Sequence, residues 1–344
     1  MSYRICETLE TEKQAMRDVY CQTMIDLANQ NDRIVVMDAD LMNSVGTVPF
    51  GEAHPERTVN CGIQEANMIG VAAGMSAVGM VPYCHTFGCF ATRRCLDQIF
   101  VSAAFAKANI RIIGSDPGIT AAMNGATHMP FEDMGSLRDI PGVTIIEPTD
   151  SIMLDNVIRQ LERANGVYYV RLSRKNAVQI YQPGSTFEIG KAAELRPGTD
   201  VTLMATGVCV AEALKAADQL AREGISAAVV NVFTLKPIDR DAVEHYARST
   251  GAIVTAENHS IYNGLGSAVA EVVAETCPVP LERVGVLDRF GQVGTVDYLR
   301  EIYQLDAKTI YEKARKAIAR KNQYSKFVGG NLYETHQFRI PEGI

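Results

Sequence analysis

The sequence predicts an α/β protein with two domains, each built around a mainly parallel central sheet. Short apolar runs such as Ile34–Asp38 alternate with longer stretches of helical periodicity, an alternation typical of a parallel sheet covered by helices. The short runs are continuously apolar, as strands buried on both faces should be. A Pro- and Gly-rich segment, residues 181–199, interrupts the alternation and predicts a linker with some extended structure between the domains.

The elements follow from this alternation in chain order. In the first domain we predict strands Ile34–Asp38, Ile110–Gly114, Thr144–Glu147 and Val167–Leu172, with helices Glu12–Ala28, Gln64–Ala77, Thr92–Ala108 and Ser151–Ala164. In the second we predict strands Val201–Thr206, Ala227–Val232, Ala252–Glu257 and Arg283–Leu287, with helices Ala211–Glu223, Arg240–Ser249, Ser267–Glu275 and Ala307–Lys321. The domains are therefore placed at 10–180 and 200–321, followed by an irregular polar tail, 322–344.

Composition and charge exclude several classes of protein. The 344 residues are 47% hydrophobic, enough for a sizeable core, and 33 basic against 40 acidic residues give a net charge of −7. We therefore expect neither nucleic-acid nor membrane partners, because both attract basic surfaces. No apolar run approaches the roughly 20 residues of a spanning helix. The N-terminus lacks a signal-peptide pattern, so we expect a cytoplasmic protein.

The eight cysteines are scattered singly along the chain. This distribution predicts reduced and mostly buried thiols rather than a disulfide framework. Cys84, His85, Cys89 and Cys95 lie close in sequence, but no second cysteine pair follows them, as a structural zinc site would require. We therefore interpret these thiols as packed side chains and predict no metal ligands in this chain.

Three segments carry side chains suited to ligand binding: Asn60–Met68, Pro82–Phe90 and Ser115–Pro130. Aromatic and Gly-rich segments after strands are where α/β domains place their ligands. Taken singly, each segment also has a structural interpretation. Glu65 suits a solvated carboxylate at a helix N-terminus, the aromatic residues suit a core, and His128 suits a turn.

Taken together and in order, the segments resemble the C-terminal half of transketolase. The motifs that carry the resemblance are Gly62-Ile63-Gln64-Glu65, Thr86-Phe87…Phe90, Asn124-Gly125…Thr127-His128-Met129-Pro130-Phe131-Glu132 and Leu172-Ser173-Arg174-Lys175. Upstream, Asp38–Ser44 resembles another motif of the family. Downstream, Ala256–Val269 resembles a domain shared with deoxyxylulose-phosphate synthases and the β subunits of 2-oxoacid dehydrogenases. The resemblance covers about residues 10–320.

The G-D-G…N motif of the family's diphosphate-binding domain does not occur in this sequence. The resemblance therefore implies one subunit of a split enzyme, made of the pyrimidine-binding and C-terminal domains. An N-terminal transketolase subunit would then hold the diphosphate of thiamine diphosphate and its Mg²⁺ or Ca²⁺. The resemblance also implies homodimerisation within an α2β2 heterotetramer that acts on small sugars.

The catalytic and cofactor-binding residues are implied by the resemblance. Glu65 matches the glutamate that hydrogen-bonds a pyrimidine nitrogen, so that the ring's imino form takes the proton from the thiazolium carbon. His128 matches a histidine near the donor carbonyl, where it stabilises the developing oxyanion. Phe87 and Phe90 match aromatic residues that hold the ring, and Asp40 matches an aspartate near the thiazolium.

The substrate residues follow in the same way. Arg17, Ser44 and Arg174 match family residues that bind the sugar phosphate, a suitable set for a tetrahedral oxyanion. Three further positions depart from the family: Asn124 replaces an aspartate that recognises a donor hydroxyl, Ser115 replaces a histidine that assists phosphate binding, and His85 replaces a glycine. These departures predict an altered donor pocket, and therefore an anionic ketose that carries a phosphate or another anion such as a sulfonate.

The leading interpretation is a transketolase subunit that moves a two-carbon ketol unit from a ketose to an aldose phosphate. The alternatives are a β subunit of a 2-oxoacid dehydrogenase, a deoxyxylulose-phosphate synthase-like enzyme, and a non-catalytic regulatory paralogue. The segments 127–132 and 172–175 favour transketolase, and the retention of Glu65 and His128 argues against a regulatory paralogue. The sequence names neither the sugars nor the partner chain.

Overall fold

The computed structural model describes residues 1–329, which form three sheets and their covering helices. The first half of the chain contains β1 (Ile5–Thr11), β2 (Ile34–Asp38), β3 (Thr58–Asn60), β4 (Val81–Phe87), β5 (Ile110–Ser115), β6 (Val143–Ile146), β7 (Val167–Leu172) and β8 (Val178–Tyr181). Its helices are α1 (Met16–Ala28), α2 (Met42–Val45), α3 (Val48–Ala53), α4 (Glu65–Ala77), α5 (Gly88–Thr92), α6 (Leu96–Gln98), α7 (Asp133–Arg138) and α8 (Ser151–Arg163). A π-helical segment, Ile99–Phe105, follows α6.

The second half repeats the same alternation. Its strands are β9 (Ala193–Arg196), β10 (Val201–Ala205), β11 (Ala227–Asn231), β12 (Thr234–Lys236), β13 (Ile253–Ser260) and β14 (Leu281–Val286). Its helices are α9 (Cys209–Arg222), α10 (Arg240–Thr250), α11 (Leu265–Thr276), α12 (Val296–Ile302) and α13 (Ala307–Gly329). The predicted fold class, two α/β domains with mainly parallel sheets, is confirmed.

The first sheet has seven strands in the order β12-β6-β7-β5-β4-β2-β3, and the second has five in the order β14-β13-β10-β11-β9. All neighbours are parallel except β12 with β6 and β9 with β11. β1 and β8 form a separate antiparallel pair. Because β12 comes from the second half of the chain, the two domains are joined through a shared sheet.

A buried ion network also joins the domains. Arg171 on β7 is fully buried and donates to both carboxylate oxygens of Asp133 and to Glu147, which lies after β6. The same guanidinium donates to the backbone oxygen of Asn258 on β13, 3.1 Å away. Removing one partner of such a network would leave an uncompensated buried charge, which is strongly destabilising. The network therefore fixes β7, whose end carries part of the site described below.

Several predicted boundaries differ from the structure. The first helix begins at Met16 rather than Glu12, because β1 continues to Thr11 and residues 12–15 form a bend between the strand and the helix. The predicted helix Thr92–Ala108 is divided into the end of α5, α6 and the π-helical segment. The predicted linker 181–199 contains β9, and α13 continues to Gly329, so the tail is helical over 322–329. The rest of that predicted tail lies outside the described residues.

The cysteines are all free thiols, and five of the eight are buried. Burial raises the pKa of the buried thiols, Cys84 and Cys209 among them, so they stay protonated at neutral pH. In the part of the chain that the structure describes, no group of three His, Cys, Asp or Glu side chains is arranged to hold a metal ion. Over the same residues, no helix is both long and apolar enough to cross a membrane.

Candidate active site

The candidate site lies where four neighbouring strands of the first sheet end. Asp40 follows β2, Phe87 ends β4, Asp116 follows β5 and Arg174 follows β7. These strands are parallel neighbours, so their carboxyl ends meet at one edge. This edge is the usual ligand-binding edge of a parallel sheet. Residues that are far apart in sequence are therefore placed side by side.

Glu65 begins α4 and is buried, with 3% of its surface exposed. Its Oε1 accepts a hydrogen bond from Arg94 Nη1 at 2.8 Å and lies 3.5 Å from the hydroxyl of Thr86 on β4. A solvated carboxylate would face water, so that structural interpretation of Glu65 is wrong. A buried carboxylate held by only a few polar groups is suited to exchange one of them for a ligand.

An aromatic cluster is linked to this carboxylate through Arg94, which contacts both Glu65 and Phe90. The rings of Phe87 and Phe90 lie edge to face at 6.1 Å between centroids, and His128 packs against both at 5.4 and 5.1 Å. Two guanidinium groups cover the cluster: Arg94 lies 3.7 Å from the centroid of Phe90, and Arg174 lies 4.9 Å from that of Phe87. The cluster therefore joins aromatic faces to hydrogen-bonding groups, which a plain hydrophobic core does not.

His128 is partly exposed, and its pKa is lowered by burial and then by the positive charges of Arg94 and Arg174. The imidazole is therefore neutral at pH 7, with one nitrogen that donates and one that accepts. Its Nδ1 lies 2.9 Å from the hydroxyl of Thr127. A neutral imidazole against two phenylalanine rings suits hydrogen bonding to a carbonyl oxygen.

Arg174 forms a partly buried ion pair just after the end of β7. Its Nε donates to Oδ2 of Asp116 at 2.7 Å, and its Nη2 contacts the same oxygen. The other carboxylate oxygen, Oδ1, is buried without a hydrogen-bond partner among the described residues. Burial raises the pKa of Asp116, and the charge of Arg174 opposes that shift. The arginine is thus oriented by an acid that sequence reasoning did not assign.

The backbone of Arg17 lies next to the segment that carries Arg174. The backbone NH of Met16 donates to the carbonyl oxygen of Lys175 at 3.2 Å, so Arg17 and Arg174 each neighbour one end of the same hydrogen bond. We call these two residues the arginine pair. Arg17 also donates to the carbonyl oxygen of Ser44 in α2 at 2.9 Å. The backbones of Arg17 and Arg174 are therefore close to each other, and Arg17 contacts Ser44 through the backbone oxygen of that residue.

Asp40 and Asn124 lie on the exposed rim of the site. Asp40 adopts a φ of +63° and accepts a hydrogen bond from Asn60 at 3.1 Å. Asn124 ends a 3-10 helical segment, Gly118–Asn124, that leads to His128. Both side chains are open to a ligand that arrives from outside.

Two predicted substrate residues lie in the interior instead. His85 is fully buried, with Nε2 2.6 Å from the hydroxyl of Tyr20 and Nδ1 3.0 Å from the carbonyl oxygen of Met37. Burial lowers its pKa to about 4, so it is a neutral histidine of the core. Ser115 is also fully buried, and its hydroxyl donates to the carbonyl oxygen of Thr86 at 3.4 Å. The structure contradicts the predicted substrate contacts of His85 and Ser115.

Sequence reasoning also missed two residues, Arg94 and Asp116. Arg94 lies four residues after Phe90, in the turn that follows α5, and this four-residue spacing is the signal that could have placed it over the ring. Asp116 directly follows Ser115. The sequence analysis assigned Ser115 to the site, whereas the structure places the next residue, Asp116, against Arg174.

Comparison with known proteins assigns this arrangement to a family. Models of the transketolase pyrimidine-binding domain and of the transketolase C-terminal domain match residues 12–179 and 190–310. The chain belongs to the transketolase family, and the predicted resemblance is confirmed.

Two relatives and two solved structures show how this family is organised. A 6-deoxy-6-sulfo-D-fructose transketolase subunit of Clostridium sp. strain MSTE9 is 49% identical over 91% of this chain and 98% of its own. A putative transketolase C-terminal section of Methanocaldococcus jannaschii is 41% identical over 88% of this chain and 96% of its own. A split-gene transketolase, described as an inactive β4 tetramer, superposes with a TM-score of 0.82 at 40% identity, covering 89% of this chain and 99% of its own. The transketolase of Leishmania mexicana shares the fold, with a TM-score of 0.76 at 20% identity over 91% of this chain and 47% of its own.

Proposed function

We propose that this chain is the pyrimidine-binding subunit of a thiamine diphosphate-dependent transketolase. It would transfer a two-carbon ketol unit from an anionic ketose to an aldose phosphate. The observation that carries the proposal is the buried carboxylate of Glu65 beside the cluster of Phe87, Phe90 and His128. The relatives are named as transketolases. These names favour ketol transfer over the activities of a 2-oxoacid dehydrogenase or a deoxyxylulose-phosphate synthase.

The residues present fit the pyrimidine end of the cofactor. Phe87 and Phe90 offer aromatic surface for the ring, and Glu65 offers a carboxyl at the end of that surface. When bound, the cofactor supplies an electron sink for breaking the bond next to the ketose carbonyl. Glu65 would share a proton with a ring nitrogen. Arg94 contacts both Glu65 and Phe90, so its side chain has to turn away before a ring can take its place.

His128 and the arginine pair would act on the sugar. The neutral imidazole of His128 would donate to the ketose carbonyl oxygen as negative charge develops there. Arg17 and Arg174 would bind the anionic end, which aligns the reacting carbonyl with the aromatic cluster. The Clostridium relative is named as a transketolase subunit for a sulfonated fructose. This name supports a sulfonated ketose as the donor for this chain too.

Replacing Arg174 with alanine tests the binding of the anion. We expect a loss of about ten- to a hundredfold in kcat/KM for phosphorylated and sulfonated ketoses, because a charge-assisted contact contributes about 1.5–3 kcal/mol. The loss should fall mainly on KM, since the remote anion is bound alike in ground and transition states. An uncharged ketose should lose much less.

The control for this test is Arg248→Ala, which removes an exposed arginine that pairs with Glu244 on the same helix. It should leave all donors at the wild-type rate. If the uncharged ketose is the best donor, or if Arg174→Ala penalises every donor equally, the role of the arginine pair is wrong.

We also propose that a separate N-terminal subunit holds the diphosphate with its Mg²⁺ or Ca²⁺, within an α2β2 assembly. Support comes from an exposed apolar face next to Glu65, which we assign to this partner subunit. The face combines one side of α4 with the π-helical segment and includes Gly70, Val71, Gly74, Val78, Phe100, Val101 and Phe105. Contiguous apolar surface of this kind marks a protein interface. Its continuity with Glu65 favours an occupant that completes the cofactor site.

Substituting Gly74 with arginine tests this face. A Cβ at Gly74 would meet nothing within 4 Å, and replacing a helical glycine favours the helix, so the chain should fold at least as well. The bulky charge should block docking, and the complex with the partner should be lost in sedimentation velocity. The matched control is Ala221→Arg, on the exposed surface of α9 in the second domain. A Gly74→Arg chain that still assembles would remove this face from the interface.

A further inference from the structure

Arg94 lies in the place that the ring of the proposed cofactor would take. Its Nη1 donates to Glu65 Oε1 at 2.8 Å, and its guanidinium carbon lies 3.7 Å from the centroid of the Phe90 ring. A guanidinium is flat and carries hydrogen-bond donors, so it stacks on an aromatic face and binds a carboxylate at once. These are the two contacts proposed for the pyrimidine ring. In the unloaded chain, the site is therefore filled by a side chain of the protein itself.

The two partners of this contact differ in their access to water. The side chain of Glu65 is 4% exposed, whereas that of Arg94 is 46% exposed. Within residues 1–329, Arg94 is the only cation that pairs with Glu65, and a buried carboxylate without its counter-ion is strongly destabilising. Arg94 can leave the site more easily, because its flexible stem lets the charged head group return to water. The contact therefore stabilises the empty site and is still able to open.

Occupation of the site by Arg94 affects any ligand that needs the same space. A ligand that binds only to the open site has an apparent affinity reduced in proportion to the fraction of sites that are open. One charge-assisted hydrogen bond between partly exposed groups keeps that fraction at about one tenth. The pyrimidine end of thiamine diphosphate therefore competes with Arg94, and the contacts of the diphosphate end with the partner subunit favour the cofactor in that competition.

We propose that Arg94 is an internal competitor of the cofactor: it occupies the pyrimidine site of the unloaded chain and makes cofactor binding depend on the partner subunit. This inference rests on the proposed function and adds a control on its cofactor site. Glu65 exchanges the guanidinium of Arg94 for a ring nitrogen when the site is loaded. The buried carboxyl therefore keeps a hydrogen-bond partner in both states.

The test is a calorimetric titration of thiamine diphosphate, with Mg²⁺ present, into the complete complex of this chain and its diphosphate-binding subunit. Arg94→Ala removes the competitor, so we expect the cofactor to bind about tenfold more tightly than to the wild type. Removing a cation that merely attracted this anionic cofactor would have the opposite effect and weaken binding. Arg94→Gln leaves a neutral donor beside Glu65, and it should tighten binding by a smaller factor.

Arg93→Ala is the matched control. Arg93 is the neighbouring arginine, its side chain is 49% exposed, and it pairs with Glu132 instead of Glu65. Its removal takes away the same charge without opening the pyrimidine site, so binding should not tighten.

Thermal unfolding of the complex gives a second readout. Without cofactor, Arg94→Ala should lower the Tm, because the buried Glu65 loses its counter-ion. At saturating cofactor the difference from the wild type should shrink, because the tighter binding of the variant stabilises its folded state more. A purely structural role for Arg94 would instead lower the Tm equally with and without cofactor.

Unchanged or weaker binding by Arg94→Ala overturns the inference and leaves the proposed function intact. If Arg94→Ala does not fold, the same outcome in Arg94→Gln decides the question. A wild-type complex that binds no thiamine diphosphate overturns the proposed function, and this competition with it.

Discussion

Replacing Glu65 with glutamine is expected to lower kcat by about 10²–10⁴-fold, the range typical of acid–base groups. Glutamine keeps the size of the side chain and an acceptor oxygen, but it has no acidic proton to share with a pyrimidine nitrogen. Glu65 is buried at the start of α4, with Arg94 and Thr86 as its polar neighbours. Water therefore has little access to replace the lost carboxyl.

Binding of thiamine diphosphate should weaken much less than turnover, because Phe87 and Phe90 still provide the aromatic surface for the ring. Calorimetric titration of the complex with thiamine diphosphate separates these two effects, since it reports binding without turnover. Glu56→Gln makes the same isosteric change at an exposed glutamate and should keep the wild-type rate. A Glu65→Gln enzyme within about threefold of wild type, far below the acid–base range, would contradict the assigned role.

The sequence predicted several central strands because they are continuous apolar runs, but it missed the central strand β4, in which Pro82, His85 and Thr86 interrupt the apolar pattern. β2 and β7 have the predicted bounds, and each is buried over most of its length. β1 was missed because, within residues 1–329, it pairs only with β8 and exposes polar side chains, so its pattern resembles a loop. The prediction of one continuous helix over Thr92–Ala108 was wrong. Apolar periodicity does not distinguish an α-helix from a π-helical segment.

The site was predicted only in part, because the order of motifs identifies residues without showing how deeply each one is buried. Motif order identified Glu65, Phe87, Phe90, His128 and Arg174, which the fold brings together. The order of motifs does not show how far a residue lies from the carboxyl edge of the sheet. His85 lies two residues before the end of β4, about 7 Å from that edge. Nor does it show the direction of a side chain. Ser115 is the buried last residue of β5, whereas Asp116 lies just beyond the strand with a φ of +56° and pairs with Arg174.

On its own, the chain is expected to show no ketol transfer with thiamine diphosphate and Mg²⁺, whatever the donor. Glu65, the aromatic cluster and the arginine pair supply contacts for the pyrimidine ring and the sugar. They lie at an edge that continues into an exposed apolar face on α4 and the π-helical segment. A cofactor bound from one side only would stay open to water, and electrostatic stabilisation of the reaction weakens sharply in water.

Adding the diphosphate-binding subunit should restore transfer in proportion to complex formed, and the rate should saturate near one partner chain for each copy of this chain. The partner alone and the Gly74→Arg chain with the partner serve as controls, and both should remain inactive. The split-gene relative described as an inactive β4 tetramer agrees with this expectation for chains of the same kind. Turnover by this chain alone, at a rate that added partner does not change, would show that the complete catalytic site lies within one polypeptide.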